Sequence, residues 1–311
     1  MIKDIKQKFN SECISKVEFI DAMHNFHKVL FDFSENLSNT EISKIEIEDG
    51  KVIFTSRQTA FHPGQARFYV DVLDKCISPL EAFNFNMYEQ EDSEMLYKLV
   101  GQNDIIFDIG ANIGWYSVHL SKKLPNSVIY AFEPIPEIFA QLRRNVELNQ
   151  VVNIFLHNLA LSDKIQTLTF FYTPTATGAS SSVNITGGGD LQKLECQTNT
   201  IDHFVKIRNI AKIDFIKCDV EGAEYFVFKG GVETISKHLP MVFTEMLRKW
   251  AAKFGYHPND IIQLFKEFGY QCYASSRGGL KIVDKVSEET VQTNFFFLHP
   301  IKHAEKIALL S

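Results

Sequence analysis

The residues with the clearest chemical content are Asp108, Gly110, Ala111, Asn112 and Gly114, within Ile105-Ile106-Phe107-Asp108-Ile109-Gly110-Ala111-Asn112-Ile113-Gly114. A short apolar run ends in an acid and breaks into two glycines four residues apart, and Trp115-Tyr116-Ser117-Val118-His119-Leu120 then opens a helical spacing. Strand, tight glycine turn and helix N-terminus together form the arrangement with which open α/β sheets hold a nucleotide. Glycine suits such a turn because the backbone angles are unusual and because a Cβ would stand between backbone and ligand. The spacing is G-x-x-x-G, not the G-x-G-x-x-G of dinucleotide-binding loops. Asn112 occupies the place of a middle glycine, and Asp108 at the mouth would repel a pyrophosphate yet accept hydrogen bonds from an ammonium group.

Nineteen residues beyond Gly114, a second apolar run, Val128-Ile129-Tyr130-Ala131-Phe132, ends in Glu133-Pro134. An acid at the end of the second strand suits the two hydroxyls of a ribose. An amino acid joined to a nucleoside is S-adenosyl-L-methionine, and Asp108 and Glu133 fit its two ends. The plainer alternative makes Asp108 a helix cap and Glu133 a solvated strand end. Either residue alone fits that alternative, but the pair at this spacing favours the cofactor.

These residues need elements to hold them. From residue 101 the pattern alternates strand and helix, with strands expected at 104–108, 128–132, 153–159, 213–218 and 241–245 and helices such as 136–149 between them. Such alternation implies a parallel sheet covered on both faces. Ligands in such sheets sit beyond the carboxyl ends of the strands. Asp108, Glu133, Asp219 and Glu245 all fall at such ends, so four acids from distant sequence are expected around one crevice. Leu159 and Ala160, ending the third strand, are placed to contact adenine through backbone groups and apolar area. Thr167–Tyr172 reads as an added strand, and the Ser-, Thr- and Gly-rich stretch 175–190 reads either as a lid or as a mobile connection.

The first 90 residues read as an extension and 91–311 as the nucleotide-binding domain. Residues 1–40 look helical, with Ile14, Val17, Phe19, Ile20, Met23, Phe26, Val29, Leu30 and Phe33 making one wide apolar face. That face packs on its own domain or, alternatively, on a second copy in a homodimer. Strict alternation over 45–54 with Asp49-Gly50 at the turn reads as a β-hairpin. Residues 60–90 are mixed and aromatic-rich, and 91–100 reads as a helix.

Composition narrows the classes. The chain has 311 residues, 45% of them hydrophobic, and a net charge of −6 from 32 basic and 38 acidic residues. Without a basic run the footprint of a nucleic-acid binder is missing. The five cysteines are scattered, odd in number and form no C-x-x-C pair, which argues for free thiols in a reducing compartment and against a zinc site. Cys218 reads as a small buried apolar residue. No signal-peptide core and no membrane-length run are visible, so a soluble cytoplasmic protein with no membrane contact is expected.

The chain resembles the FkbM-type S-adenosylmethionine-dependent methyltransferases over roughly residues 88–275. The resemblance rests on Asp108-Ile109-Gly110-Ala111-Asn112-Ile113-Gly114, Phe132-Glu133-Pro134, Ala160-Leu161-Ser162-Asp163, Thr200-Ile201-Asp202, Lys217-Cys218-Asp219-Val220-Glu221-Gly222-Ala223-Glu224 and Glu245. It implies a class I methyltransferase, Rossmann-like α/β fold with a seven-strand, mostly parallel sheet whose last strand is antiparallel. It also implies methyl transfer, typically to a hydroxyl of a sugar or secondary-metabolite small molecule.

The sulfonium makes the methyl group a good electrophile, so a protein of this kind must align the acceptor oxygen and remove a proton. Glu221 is the first candidate for that base and Glu245 the second, because a carboxyl at a partly closed site has a raised pKa. The cofactor set is Asp108, Gly110, Ala111, Asn112, Gly114, Glu133, Pro134, Leu159, Ala160 and Asp219. Glu224 reads as a helix N-terminal acid, and His119 as packed within the first helix. No metal is expected, since Met246-Leu247-Arg248-Lys249 after Glu245 places positive charge where a cation would sit. Three competing classes share parts of this pattern: an NAD-dependent oxidoreductase, which Asp108 opposes; an RNA methyltransferase, which the acidic balance opposes; and a non-catalytic nucleotide-binding interaction module.

Overall fold

A computed structural model describes residues 1–61, 64–184 and 191–310. The N-terminal part comprises helices α1 (Ile2–Asn10) and α2 (Lys16–Leu37), strands β1 (Ile42–Glu48), β2 (Lys51–Ser56) and β3 (Arg67–Val70), and helices α3 (Ser78–Asn84) and α4 (Gln90–Leu99). The alternating part follows as β4 (Ile105–Ile109), α5 (Trp115–Lys123), β5 (Val128–Phe132), α6 (Pro136–Asn149) and β6 (Ile154–His157). An excursion of β7 (Ala160–Leu161), β8 (Thr167–Tyr172) and β9 (Gln192–Asn199) leads to α7 (Ile201–Ile207) and β10 (Phe215–Cys218). The chain ends with α8 (Glu224–Lys229), α9 (Val232–His238), β11 (Met241–Glu245), α10 (Arg248–Ala251), α11 (Pro258–Glu267), β12 (Gln271–Ser276), β13 (Gly279–Ile282), β14 (Asn294–Leu298) and α12 (Ala304–Leu310).

The central sheet has eight strands in the order β13-β12-β14-β11-β10-β4-β5-β6. Strands β11, β10, β4, β5 and β6 pair in parallel, and β14 runs antiparallel between β11 and β12. The expectation of seven strands is therefore one short. The tight turn at Arg277 and Gly278, both at positive φ, folds β13 back onto the edge of β12. Strand β6 stops at His157, short of the expected residue 159, and β10 begins at Phe215.

Alternation along each strand splits the core into two layers, because successive side chains face opposite sides of a sheet. Ile106, Phe215 and Phe243 join the layer beneath α4, α5 and α6, whereas Phe107, Ile109, Ile216 and Cys218 join the layer against α7, α8 and α11. Asp108 and Lys217 share the parity of the first group and are in register with each other across β4 and β10. That pairing decides the chemistry of the site.

The expected hairpin over 45–54 forms, and its sheet gains a third strand, β3, from the stretch that reads only as mixed. Strand β3 is an edge strand, and three amides of α6 cover its outer backbone. Gln141 Nε2 donates to Tyr69 O (3.2 Å), Asn145 Oδ1 accepts from Tyr69 N (3.0 Å), and Asn149 bonds both Arg67 N (2.9 Å) and Arg67 O (2.7 Å). Their spacing of four residues stacks them on one helix face. Asn145 Nδ2 also donates to Ile113 O (2.9 Å), tying this small sheet to the glycine loop.

The N-terminal helical stretch is two helices, not one. Ser15 and Glu18 form a reciprocal cap that starts α2 afresh, with Glu18 N to Ser15 Oγ at 3.2 Å and Ser15 N to Glu18 Oε2 at 2.7 Å. Phe9 of α1 stacks on Phe19 of α2, with ring centroids 4.4 Å apart. Much of the expected apolar face stays open: Val17, Ile20 and Leu30 keep 68%, 53% and 60% of their surface exposed. Near its C-terminal end α2 meets α3, through Phe33 on Phe83 and Asn36 Nδ2 on Phe83 O. No described helix is long and apolar enough to cross a membrane.

Asn145 is fully buried and satisfies two backbone groups. Asn145→Ala should therefore destabilise the fold by on the order of 2–4 kcal/mol, since each buried group left unpaired costs about 1–3 kcal/mol; urea unfolding checks this, and a loss below about 0.5 kcal/mol would sink the proposed role of the ladder.

Candidate active site

Two joined hollows lie beyond the carboxyl ends of the parallel strands. The inner crevice encloses about 980 Å³ free of protein atoms, part of it open to solvent, and the outer chamber about 1140 Å³. Cys76, Tyr88, Gly178, Asp219 and Glu221 border both.

The glycine loop forms the floor of the crevice. Gly110 has φ +76°, and a Cβ there would lie 1.8 Å from Asp219 O, so only glycine lets the loop after β4 touch the loop after β10. The Gly110 and Ala111 N–H groups both donate to Phe132 O, at 3.0 and 2.9 Å. Asn112, at φ +50°, donates its N–H to Glu133 Oε2 (3.1 Å), and Ile135 N–H reaches Glu133 Oε1 (2.9 Å). Burial pushes the Glu133 carboxyl up to about 7, against the pull of those two backbone bonds. A carboxylate has about four acceptor positions, so acceptor capacity remains toward the crevice. Gly110, Ala111, Asn112, Glu133, Pro134, Leu159, Ala160 and Asp219 all line it. The Leu159 N–H is spent on His157 O at 3.0 Å, which leaves apolar area and the carbonyl for contact.

Two expected cofactor residues lie elsewhere. Gly114 (φ +91°) is a packing position, where a Cβ would fall 2.6 Å from Leu142 Cδ1 of α6. Asp108 is fully buried under the loop, not at its mouth. It precedes the last residue of β4, and strand parity turns it into the layer beneath. There its Oδ2 accepts from Ser117 Oγ (2.5 Å) and its Oδ1 lies 3.5 Å from Lys217 Nζ. Asp108 does meet an ammonium group, but one supplied by the chain itself. Of the four acids expected around one crevice, Glu133 and Asp219 line it, Glu245 lines the adjoining chamber and Asp108 lines neither.

Lys217 is the site residue that motif reading passes over. Its Nζ donates to Gly110 O (2.8 Å), lies 3.6 Å from Asp219 Oδ2 and sits 5.6 Å from the centre of the Tyr116 ring. Burial disfavours its charge, but Asp108 and Asp219 outweigh that and hold its pKa above the ordinary lysine value. A signal was available: a lysine inside the apolar run of a central parallel strand, two residues before Asp219, shares a face with it. Tyr88 and Glu89 carry no such signal. Glu89, at φ +45°, accepts from Tyr116 OH (2.6 Å) and Asn294 Nδ2 (3.0 Å) in the chamber wall.

Asp219, Glu221 and Glu245 converge, with one carboxylate oxygen of each within 4.8 Å of the others. Glu221 holds a left-handed backbone (φ +54°), a strained state that positions its side chain at the junction of the two hollows. Glu224 opens α8, as expected for a helix N-terminal acid. Its carboxyl receives Val220 N (3.1 Å), Gly222 N (3.0 Å) and Tyr256 OH (3.1 Å), fixing the loop that carries Glu221. Burial and then Asp219 push Glu221 up to about 9, and burial with the same neighbour raises Glu245 well above the ordinary carboxyl range. His119 is structural: its ring nitrogens bond Trp115 O and Ser56 Oγ, both at 2.9 Å.

The described part of the stretch 175–190 roofs the crevice, and 185–190 lies outside the described residues. Thr177 bonds Asp74, Lys75 N donates to Thr175 O (3.1 Å), and Ser181 Oγ donates to Glu221 O (2.9 Å).

The order of the central sheet, with one strand inserted antiparallel next to the fifth parallel one, is the architecture of class I methyltransferases. The sequence model of the methyltransferase FkbM domain matches residues 108–272, more than half of the chain. The chain belongs to the FkbM methyltransferase domain family. Among curated relatives, Methyltransferase 1 of Beauveria bassiana is 29% identical over 145 residues, 41% of this chain and 58% of that protein. Hexuronic acid methyltransferase AglP of Haloferax volcanii is 27% identical over 179 residues, 58% of this chain and 68% of that one. The 31-O-demethyl-FK506 methyltransferase FkbM of Streptomyces tacrolimicus is 28% identical over 154 residues, 41% and 59% of the two chains. The matched region thus spans about three fifths of the length of two of these relatives. A crystal structure of an FkbM methyltransferase from Methylobacillus flagellatus is similar with a TM-score of 0.40 and 18% identity, covering 73% of this chain and 55% of that one.

Raised carboxyl pKa values carry a stability consequence. Glu133 and Glu224 near 7 and Glu221 near 9 bind protons in the native state that the unfolded chain, with carboxyls near 4.5, has already released. Stability of the ligand-free protein should therefore fall as pH rises from about 5 to about 9. Differential scanning calorimetry should show Glu221→Gln losing less of its Tm over that interval than the parent chain; parallel curves would contradict the assignment.

Proposed function

We propose that this protein transfers a methyl group from S-adenosylmethionine to a hydroxyl oxygen of a small molecule of the sugar or secondary-metabolite kind. The supporting observation is the position of Glu221 at the junction between a crevice of nucleotide-binding form and a separate acidic chamber. Family membership supports the same reading, as do relatives named for O-methylation, including the 2-O-methyltransferase NoeI of Sinorhizobium fredii.

The residues present fit the cofactor. Glu133 retains acceptor capacity for the two ribose hydroxyls, Leu159 and Ala160 offer apolar area to the adenine, and Asp219 is placed for the amino group that Asp108 cannot reach. When bound, S-adenosylmethionine supplies an electrophilic methyl, whose C–S bond breaks as a C–O bond to the acceptor forms. Glu221, in its carboxylate form, takes the hydroxyl proton and becomes the neutral acid. Glu245 orients the acceptor hydroxyl from the chamber side. Lys217 holds the Asp219 carboxyl group and the glycine loop in place. Transfer needs no metal in this scheme, and a chelator should leave the rate unchanged.

Glu133→Ala should weaken S-adenosylhomocysteine binding by on the order of 1–3 kcal/mol, the scale of a lost charge-assisted hydrogen bond; unaltered affinity in calorimetry would remove the ribose assignment. Glu221→Gln should lower kcat by about 10²–10⁴-fold while cofactor affinity is kept, the range of a lost general base. Retained turnover in Glu221→Gln, with loss in Glu245→Gln, would reverse the two roles.

The exposed apolar residues of α2 support a second, smaller proposal, that two copies pair through this helix. Sedimentation should then give a dimer that Leu30→Glu with Phe31→Glu converts to monomer; a monomeric parent chain would refute the pairing.

A further inference from the structure

The outer chamber carries an unusual charge balance. Glu81, Glu89, Asp219, Glu221 and Glu245 contribute carboxyl groups to its wall, and among the described residues no lysine, arginine or histidine lines it. Two of these acids are already satisfied: Asp219 by Lys217, and Glu89 by Tyr116 and Asn294. Glu221 and Glu245 are different. Their carboxyl groups accept no hydrogen bond from any described residue, and both are half-buried, with part of their surface open at the chamber wall. Two converging acceptors with no partner from the chain, set side by side in the wall of a chamber, are free to take a ligand that supplies donors. The rings of Tyr88 and Trp250 close the same wall, and aromatic faces add attraction for a cation. Trp250 already draws Lys249 Nζ to 4.2 Å from its ring centre and Lys253 Nζ to 5.3 Å.

Acceptor classes respond differently to this wall. A carboxylate or phosphate would be repelled by Asp219 and Glu89 and would find no basic residue among the described lining of the chamber. A neutral polyol brings donors but no charge, so it gains nothing from ionising the acids. An ammonium group brings three donors and a positive charge into a cage of acceptors.

We propose that the acceptor carries a protonated amine seated on Glu245 in the outer chamber, a few bonds from the hydroxyl presented to Glu221. The substrate class is therefore an amino alcohol or amino sugar, not a uronic acid or a phosphorylated sugar. This rests on the methyltransferase reading above. It also accounts for the choice of atom. Carboxylates that hold an amine protonated deny it a lone pair, so the methyl passes to the oxygen: the O–H proton goes to Glu221, the C–O bond forms, and the amine leaves with its protons unchanged.

The empty chamber keeps its protons. Around Glu221 stand Asp219 and Glu224 against Lys217 and Lys249; around Glu245 stand Asp219, Glu221, Glu224 and Glu89. The negative groups outweigh the positive ones in both cases, in addition to burial. A bound ammonium reverses the balance and releases a proton to solvent.

The test uses the full chain saturated with S-adenosylhomocysteine and ligand-observed NMR with matched probes: glucosamine, glucose and glucuronic acid, then 2-aminoethanol, ethylene glycol and glycolate. The amine of each set should bind at least about tenfold more tightly than its neutral partner, the scale of one charge-assisted hydrogen bond, and the acid should bind least. Glu245→Gln, shown to be folded by circular dichroism, should lose that preference. Calorimetry of the amines at pH 7.5 in two buffers of different ionisation enthalpy should report proton release that the variant lacks. No amine preference, including no binding by any probe, overturns the proposal, as does a preference that survives in Glu245→Gln. Magnesium or manganese that binds alone and displaces the amine also overturns it, making the three converging carboxylates a metal site. Failure of S-adenosylhomocysteine to bind at the outset strikes the methyltransferase reading itself, and so separates the two.

Discussion

One buried ammonium group holds the centre of this molecule together. Lys217 Nζ reaches Gly110 O, Asp108 and Asp219 at once, and so joins β4, the glycine loop and the loop after β10. Burying a charge is expensive unless it is paired and hydrogen-bonded. Here two carboxylates, a carbonyl and the Tyr116 ring share the task. The close approach of Gly110 to Asp219 O depends on the same contact, because the loops meet only where no Cβ intervenes. The floor of the crevice and the acid at its mouth are thus set by one interaction.

Around that centre the site is assembled from two parts of the chain. The parallel strands contribute the glycine loop, Glu133, Asp219, Glu221 and Glu245. Tyr88, Glu89, Cys76 and the roof contact at Asp74 come from the segment before α4. The amide ladder of α6 on β3 keeps this segment registered on the sheet, since Asn145 bonds both Tyr69 N and Ile113 O. Strain is concentrated where the parts meet: Glu89, Asn112 and Glu221 all hold positive φ, and each places a polar group at the wall of a hollow. Such backbone states persist where surrounding contacts over-determine them, as the three bonds to Glu224 do beside Glu221.

What was legible in the sequence has a common physical character. The strand expected at 104–108 and formed at Ile105–Ile109, the glycine turn, the strand ending at Glu133 and the hairpin turning on Asp49-Gly50 are local patterns, and period and turn chemistry act over a few residues. Acids at strand ends are equally local, so Glu133, Asp219, Glu221 and Glu245 could be placed at the carboxyl edge of the sheet before any contact was known. The helix break at Ser11–Ser15 was legible in principle too, in the Ser15–Glu18 cap, but a continuous apolar pattern across residues 14–33 masks it.

Asp108 marks where local reading ends. Its sequence neighbours place it at a strand end beside a nucleotide loop; its partner lies 109 residues away in β10, where the register sets Lys217 opposite it. A side chain's face follows from its own strand, but what it meets across that face follows from pairing between distant strands, and no short-range pattern encodes that pairing. The same holds for Tyr88 and Glu89, which reach the chamber only because β3 docks on α6, and for the apolar face of α2, whose periodicity is plain while its exposure is decided by where the rest of the chain goes. The sequence by itself thus determined which elements form and which acids stand at their ends. The tertiary structure decided which of those acids share a hollow, which one is sealed beneath it, and what charge that hollow presents to a ligand.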